Sequence, residues 1–224
     1  MSLQAKLDAF KADLYAGRLP FKPPAEVLAT MDRTTQALIA SGADAKALKV
    51  GDKAPSFTLP DPDKNPVSSA ALLAKGPLAI SFYRGVWCPY CNMELQALQE
   101  TLGDIRAAGG NLIAISPQLP PNSRKAMQQN KLTFPILSDM GNETAARFGL
   151  KFALPPELIE VYKGFGNDLA LINGEPSWTL PMPGRFVIGT DGTIRYAEVN
   201  PDYTKRPEPS ALLPALRAAN LATT

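Results

Sequence analysis

The sequence predicts an α/β protein: a central mixed β-sheet flanked by helices, preceded by an N-terminal helical extension. Three observations predict it. The apolar runs at 77–83 and 111–118 show no alternation, as expected of strands buried on both faces. Segments with apolar residues at three–four spacing separate such runs, the pattern of strands joined by helices and hence of a parallel core. Finally, "RFVIGTDGTIRYAEVN" (185–200) reads as two strands around Asp191-Gly192, a hairpin adding antiparallel strands at one side.

In order along the chain, residues 1–48 read as the extension. Leu3, Leu7, Phe10 and Leu14 share one helical face. Pro20, Pro23 and Pro24 punctuate, and a second helix runs from about Ala25 to Ala40 with Val27, Leu28, Met31, Leu38 and Ile39 on one side. This extension is either a packing element or an arm that covers an active site or joins two copies as a homodimer. The main domain, 49–224, begins with "SFTLPD" (56–61) and "NPVSSAALLAKG" (65–76), a short strand, a turn and a second short element. A buried strand follows at 77–83, then the cysteine pair, then a helix carrying Leu95, Leu98, Leu102 and Ile105 that closes at Gly109-Gly110. Beyond the strand at 111–118 come a helix at 121–130, a strand at 134–139 and a helix at 142–150. Segment 151–181 does not fit the alternation. It reads as an insertion with a short helix near 156–164, and long insertions are often functional covers. Residues 209–221 form a closing helix.

Composition narrows the function. A net charge of +2 gives no reason to expect nucleic acid or an anionic membrane as partner. No apolar run approaches the roughly 20 residues of a membrane span, and the N-terminus lacks the apolar core of a signal peptide, so a cytoplasmic setting is expected. Histidine is absent, which removes Ser-His and Cys-His pairs and the commonest metal ligand. Two cysteines alone do not complete a tetrahedral zinc site, so neither metal nor cofactor is expected. For a close cysteine pair in a reducing compartment, redox chemistry remains.

Cys88 and Cys91 lie where a buried strand gives way to a helix. Pro89 suits the first helical turn, where its missing N–H is not needed. Cys88 then falls at the N-cap, where free backbone N–H groups and the positive helix end favour a thiolate. Arg84, four residues earlier, either adds positive charge there or pairs with a structural acid. Cys91 sits nearly one turn further on. Glu94, on the same face, either relays a proton or is a solvated charge. Tyr90 either contacts a peptide or glutathione or caps the site, and Trp87 forms its rim.

"WCPYC" (87–91) resembles the redox motif of the thioredoxin-fold superfamily, in the form glutaredoxins carry. Over about residues 50–200 the chain resembles the peroxiredoxin family, that of alkyl hydroperoxide reductase and thiol-specific antioxidant. The resemblance is carried by "VGDKAPSFTLPD" (50–61), "AISFYRGVWCPYC" (79–91), "LIAISPQ" (112–118), "FPILSD" (134–139) and "RFVIGTDGTIRYA" (185–197). It implies a thioredoxin-like fold and an antioxidant thiol peroxidase. A Cys88–Cys91 disulfide would form on oxidation and be re-reduced by a thioredoxin- or glutathione-type donor.

The departures matter as much. Counting from Phe82-Tyr83, the family's active-site proline falls on Arg84, its threonine on Cys88 and its peroxide-attacking cysteine on Cys91. Its peroxide-polarising arginine falls on Pro183, where thioredoxins place a cis-proline beside their cysteines; Arg185 lies two residues on. The resemblance therefore predicts a cis Pro183 packed on the pair. It leaves open which sulfur attacks: Cys88 by the thioredoxin register, Cys91 by the peroxiredoxin register. A protein disulfide reductase without useful peroxidase activity is the alternative reading. A non-enzymatic redox sensor or binding module is a third.

Overall fold

The computed structural model describes residues 1–221. Helix α1 (Leu3–Tyr15) starts at Ser2, whose hydroxyl accepts from the Ala5 N–H, and buries Leu3, Leu7 and Leu14 as its spacing predicts. Helix α2 (Ala25–Ala40) departs from expectation. Leu28, Thr30 and Thr34 are its buried residues, and Ile39 is exposed, because the contacting face is rotated toward the insertion. Strands β1 (Thr58–Pro60) and β2 (Pro66–Ser68) form a small antiparallel ribbon that leads into α3 (Ser69–Leu73).

The main sheet contains β3 (Leu78–Phe82), β4 (Asn111–Ser116), β5 (Ile136–Ser138), β8 (Gly184–Ile188) and β9 (Ile194–Val199), in the order β5-β4-β3-β8-β9. The β5-β4-β3 part is parallel, and the β8-β9 hairpin adds two antiparallel strands on the β3 side. Central β3 is buried throughout. Its Leu78, Ile80 and Phe82 pack with Phe148 and Phe186 on one face of the sheet. Small Ala79 and Ser81 face the other side, where α4 (Pro89–Glu100) lies close. The predicted long helix breaks at Thr101, whose hydroxyl bonds back to the Ala97 carbonyl, and resumes as α5 (Leu102–Ala107). Helix α6 (Pro120–Gln129) crosses over to β5, followed by the short α7 (Glu143–Arg147). Helix α10 (Leu213–Leu221) closes the α4 side, with Leu216 in the core.

The insertion has its own internal order. Strands β6 (Lys151–Ala153) and β7 (Thr179–Pro181) pair antiparallel, and between them run α8 (Pro156–Gly164) and α9 (Leu169–Asn173). Leu154, Leu158, Tyr162, Leu169 and Leu180 form its core, and Met31 of α2 packs against it. Trp178 belongs to this cluster, with Lys163 over its ring at 5.6 Å, and not to the surroundings of the cysteines. Thus α1 seats on the main core near α4 while α2 seats on α8. No helix among the described residues is long and apolar enough to cross a membrane.

Candidate active site

Strand β3 ends at Phe82, and residues 83–88 carry the chain over the sheet edge into α4. This turn is braced from the loop after β4: the Gln118 side chain accepts from the Val86 N–H (2.9 Å) and donates to the Tyr83 hydroxyl (2.7 Å). Asn92 donates to the Val86 carbonyl at 2.7 Å. Gly85 is required here, because a Cβ would stand 2.4 Å from the Trp87 indole nitrogen. Cys88 is the helix N-cap with extended backbone, and Pro89 occupies the first turn, as the sequence predicts. Both cysteines are unpaired and buried.

Each sulfur has a guanidinium of its own. Arg84 Nη1 is 3.9 Å from Cys88 Sγ, and Arg206 Nη2 is 3.7 Å from Cys91 Sγ. The two arginines differ in what else they meet. Arg206 and Arg185 share Glu94: Arg185 Nε donates to Oε1 at 2.7 Å, and Arg206 Nε donates to Oε2. All three side chains are almost fully buried. Arg84 instead donates to the Tyr162 hydroxyl and stacks over Tyr203, at 4.1 Å from the ring centre, and Trp87, at 4.9 Å. It forms no salt bridge with a described acid, so the expected structural acid partner is absent.

This asymmetry sets the thiol chemistry. Burial pushes the Cys88 thiol up, but the hydrogen bond from Cys91 and the charges of Arg84 and Arg206 outweigh it, and its pKa falls to about 6. Burial raises that of Cys91, and its bond to Cys88 and the negative charge there raise it further. Two touching sulfurs cannot both ionise cheaply. The Cys91 hydrogen bond, then the charges of Arg84 and Arg206, favour the thiolate at Cys88; Arg84 meets no described carboxylate, whereas Arg206 and Arg185 share that of Glu94.

The other predicted site residues are placed as follows. Glu94 is not a solvated charge: it is 1% exposed, and although burial raises its pKa, Arg206 and Arg185 hold it below the ordinary carboxylate value. A carboxylate so held is a poor proton acceptor, which removes it as a relay. Tyr90 is buried, edge-on to Phe10 and Tyr203, and offers no surface to a peptide. Trp87 is half-buried against Tyr162. Pro183 corrects an expectation, since no cis peptide bond occurs among the described residues. Its carbonyl accepts from Asn200 N (3.1 Å), and the residue lines clefts shared with Glu94 and Arg206 or with Arg84 and Tyr203, neither of which includes a cysteine. Arg185 sits opposite Ser81 in the β3–β8 register and therefore points to the α4 face.

Sequence reasoning missed Arg206, Tyr203 and Tyr162. Arg206 and Tyr203 lie in an aperiodic, proline-containing loop after β9, and Tyr162 lies on the insertion. No local pattern distinguishes a buried arginine from a surface one. The loop is latched to α1: Gln4 Oε1 accepts from Arg206 N (2.8 Å), Gln4 Nε2 donates to the Thr204 carbonyl (3.3 Å), and Lys205 pairs with Asp8 at 3.0 Å.

Residues 50–197 match the model of the AhpC/TSA family. The chain is 38% identical over 102 residues to a putative peroxiredoxin of Mycobacterium tuberculosis, covering 46% of this chain and 64% of that one. It is 29% identical over 103 residues to peroxiredoxin Bcp of Escherichia coli, covering 46% and 65%. The chain thus matches just under two thirds of the length of these relatives. Among solved structures it is similar to peroxidoxin BcpB of M. tuberculosis, with a TM-score of 0.61 at 22% identity over 79% of this chain and 99% of the other. That likeness shows the fold, a thioredoxin-like mixed sheet with flanking helices.

Proposed function

Because this chain belongs to the AhpC/TSA family, we propose that it is a thiol peroxidase working through Cys88 and Cys91. The observation that carries the reading is geometric: two buried, unpaired cysteines at the start of α4, with the Arg84 guanidinium 3.9 Å from the Cys88 sulfur and that of Arg206 3.7 Å from Cys91. In the cycle, the Cys88 thiolate attacks a peroxide oxygen, the O–O bond breaks, and the leaving alkoxide or hydroxide takes a proton from water. Cys91 then attacks the sulfenic acid at Cys88, an S–S bond forms, and water leaves. A dithiol donor of thioredoxin type reopens the disulfide by exchange, in a reducing compartment such as the cytoplasm. Arg84 and Arg206 act electrostatically, lowering the cost of negative charge on sulfur.

Assigning attack to Cys88 follows the thioredoxin register within a peroxiredoxin chain. Stopped-flow oxidation of wild type, Cys88→Ser and Cys91→Ser by hydrogen peroxide and an organic hydroperoxide tests it, with mass spectrometry locating the sulfenic acid. Fast oxidation is expected in wild type and Cys91→Ser only. Rates no faster than a free thiol in all three proteins would end the peroxidase reading. Insulin reduction by the wild type would then favour a disulfide reductase, for which the Cys-Pro-Tyr-Cys spacing at a helix start speaks.

A further inference from the structure

The peroxide step needs a proton. When the O–O bond of hydrogen peroxide breaks, the departing oxygen leaves as hydroxide, a strong base, unless an acid meets it. Water reaches this sulfur poorly, since Cys88 is 1% exposed. The usual proton donors are missing. The chain holds no histidine, and Glu94, despite its burial, is kept as a carboxylate by Arg206 and Arg185. Among the described residues no carboxyl side chain lines the cavity that opens beside Cys88.

Three phenols do line it, those of Tyr90, Tyr162 and Tyr203. They differ in how they meet Arg84. Tyr203 presents its ring face to the guanidinium, 4.1 Å from the ring centre. Tyr162, on α8 of the insertion, presents its hydroxyl: Arg84 donates to that oxygen through Nη2, while its Nη1 lies 3.9 Å from the Cys88 sulfur. One planar guanidinium thus holds the nucleophile and a phenol from adjacent corners of its fork. Because the phenol oxygen accepts from Arg84, its own hydrogen remains to be donated. Burial alone makes a phenol a weaker acid, as at Tyr90 and Tyr203. A cation that donates to the oxygen offsets this by stabilising the phenolate.

We propose that Tyr162 is the proton donor to the departing oxygen, brought to the cysteine pair by the insertion. The proposal rests on the peroxidase reading above. In the step, the Cys88 sulfur forms a bond to the near oxygen, and the O–O electron pair passes to the far one. That oxygen takes the Tyr162 proton and leaves as water, or as an alcohol from an organic hydroperoxide. Sulfur is oxidised by two electrons to the sulfenic acid, and the peroxide is reduced. As the sulfur gives up its negative charge, the phenolate becomes the counter-charge of Arg84. Water at the cavity mouth then restores the Tyr162 proton.

Tyr162→Phe keeps the ring and removes the proton. The reduced full chain, wild type and variant, is followed by stopped flow at neutral pH with three reagents. Hydrogen peroxide expels hydroxide and needs the proton. Peracetic acid expels acetate, a weak base, and iodoacetamide expels iodide, so neither needs it. The variant should react about a hundredfold more slowly with hydrogen peroxide. It should match the wild type with peracetic acid and iodoacetamide. An unchanged rate with hydrogen peroxide would overturn the proposal and leave water as the donor. A parallel loss with all three reagents would also overturn it, because Tyr162 would then act only by holding Arg84 in place. A wild type no faster than free cysteine with either oxidant would instead overturn the peroxidase reading, and the proposal with it.

Discussion

Arg84 Nη1 lies 3.9 Å from the Cys88 sulfur, and the guanidinium is balanced by no described carboxylate. Its aromatic neighbours Tyr203, Trp87 and Tyr162 shield it from water without neutralising it. The thiolate is therefore its natural counter-charge. Replacing Arg84 with methionine keeps much of the packing and removes the charge. Rapid alkylation by iodoacetamide should show a midpoint near pH 6 for Cys88 in wild type. In Arg84→Met the midpoint should move toward the ordinary thiol value of about 8.5. An unmoved midpoint would show that the helix terminus and Cys91 suffice.

The same shift bears on stability. Cys88 binds its proton more weakly in the folded protein, with a pKa of about 6, than in the unfolded chain, at about 8.5. Between those values the unfolded state holds more protons, so rising pH favours the native state. The contribution is complete above the unfolded value and lost as pH falls through the folded one. Thermal unfolding of the reduced protein should shift upward between pH 6 and 8.5, and Cys88→Ser should lose that part of the slope. Cys91, shifted the opposite way, acts only above this window.

Glu94 stands between two buried arginines. Glu94→Gln retains the shape and removes the compensating charge, leaving two buried cations. A loss of about 3–5 kcal/mol is expected from urea unfolding. With Arg206 no longer neutralised, the alkylation midpoint of Cys88 should fall further if the variant folds. A stability change below about 1 kcal/mol would mean that water or another group enters to take the place of the carboxylate.

Gln4 fixes the loop that carries Tyr203 and Arg206 to the sulfurs. Gln4→Ala removes the acceptor of the Arg206 amide, at a cost of about 1 kcal/mol for a partly buried bond. Hydrogen exchange at the Arg206 amide should accelerate while exchange in β3 stays protected. Equal acceleration at both would indicate global destabilisation and remove Gln4 as a specific latch.

Much of this was legible in the sequence because the signals are local. Unalternating apolar runs mark β3 and β4, Asp191-Gly192 marks the hairpin, and Pro89 after Cys88 marks the start of α4. The break at Thr101 is local but lies in one hydroxyl bond to the Ala97 carbonyl, which apolar spacing does not record. The cis expectation for Pro183 rested on the resemblance alone. The exposure of Ile39 was not local, since it depends on which side of α2 meets α8. Glu94 misled for the same reason: a lone carboxylate on a helix reads as solvated until its partners arrive from 91 and 112 residues away.

By itself, then, the sequence determined the α/β order, the strand-to-helix junction and the placing of a close cysteine pair there, because each follows from residues within a few positions of one another. Only the tertiary structure decided which charged groups face each sulfur and what covers Cys88. Those depend on where Arg84, Arg206 and Glu94 converge, and on α1, α2 and α8 closing over Cys88. Charge–charge interaction and burial act through space, and a one-dimensional pattern does not record the distances that set them.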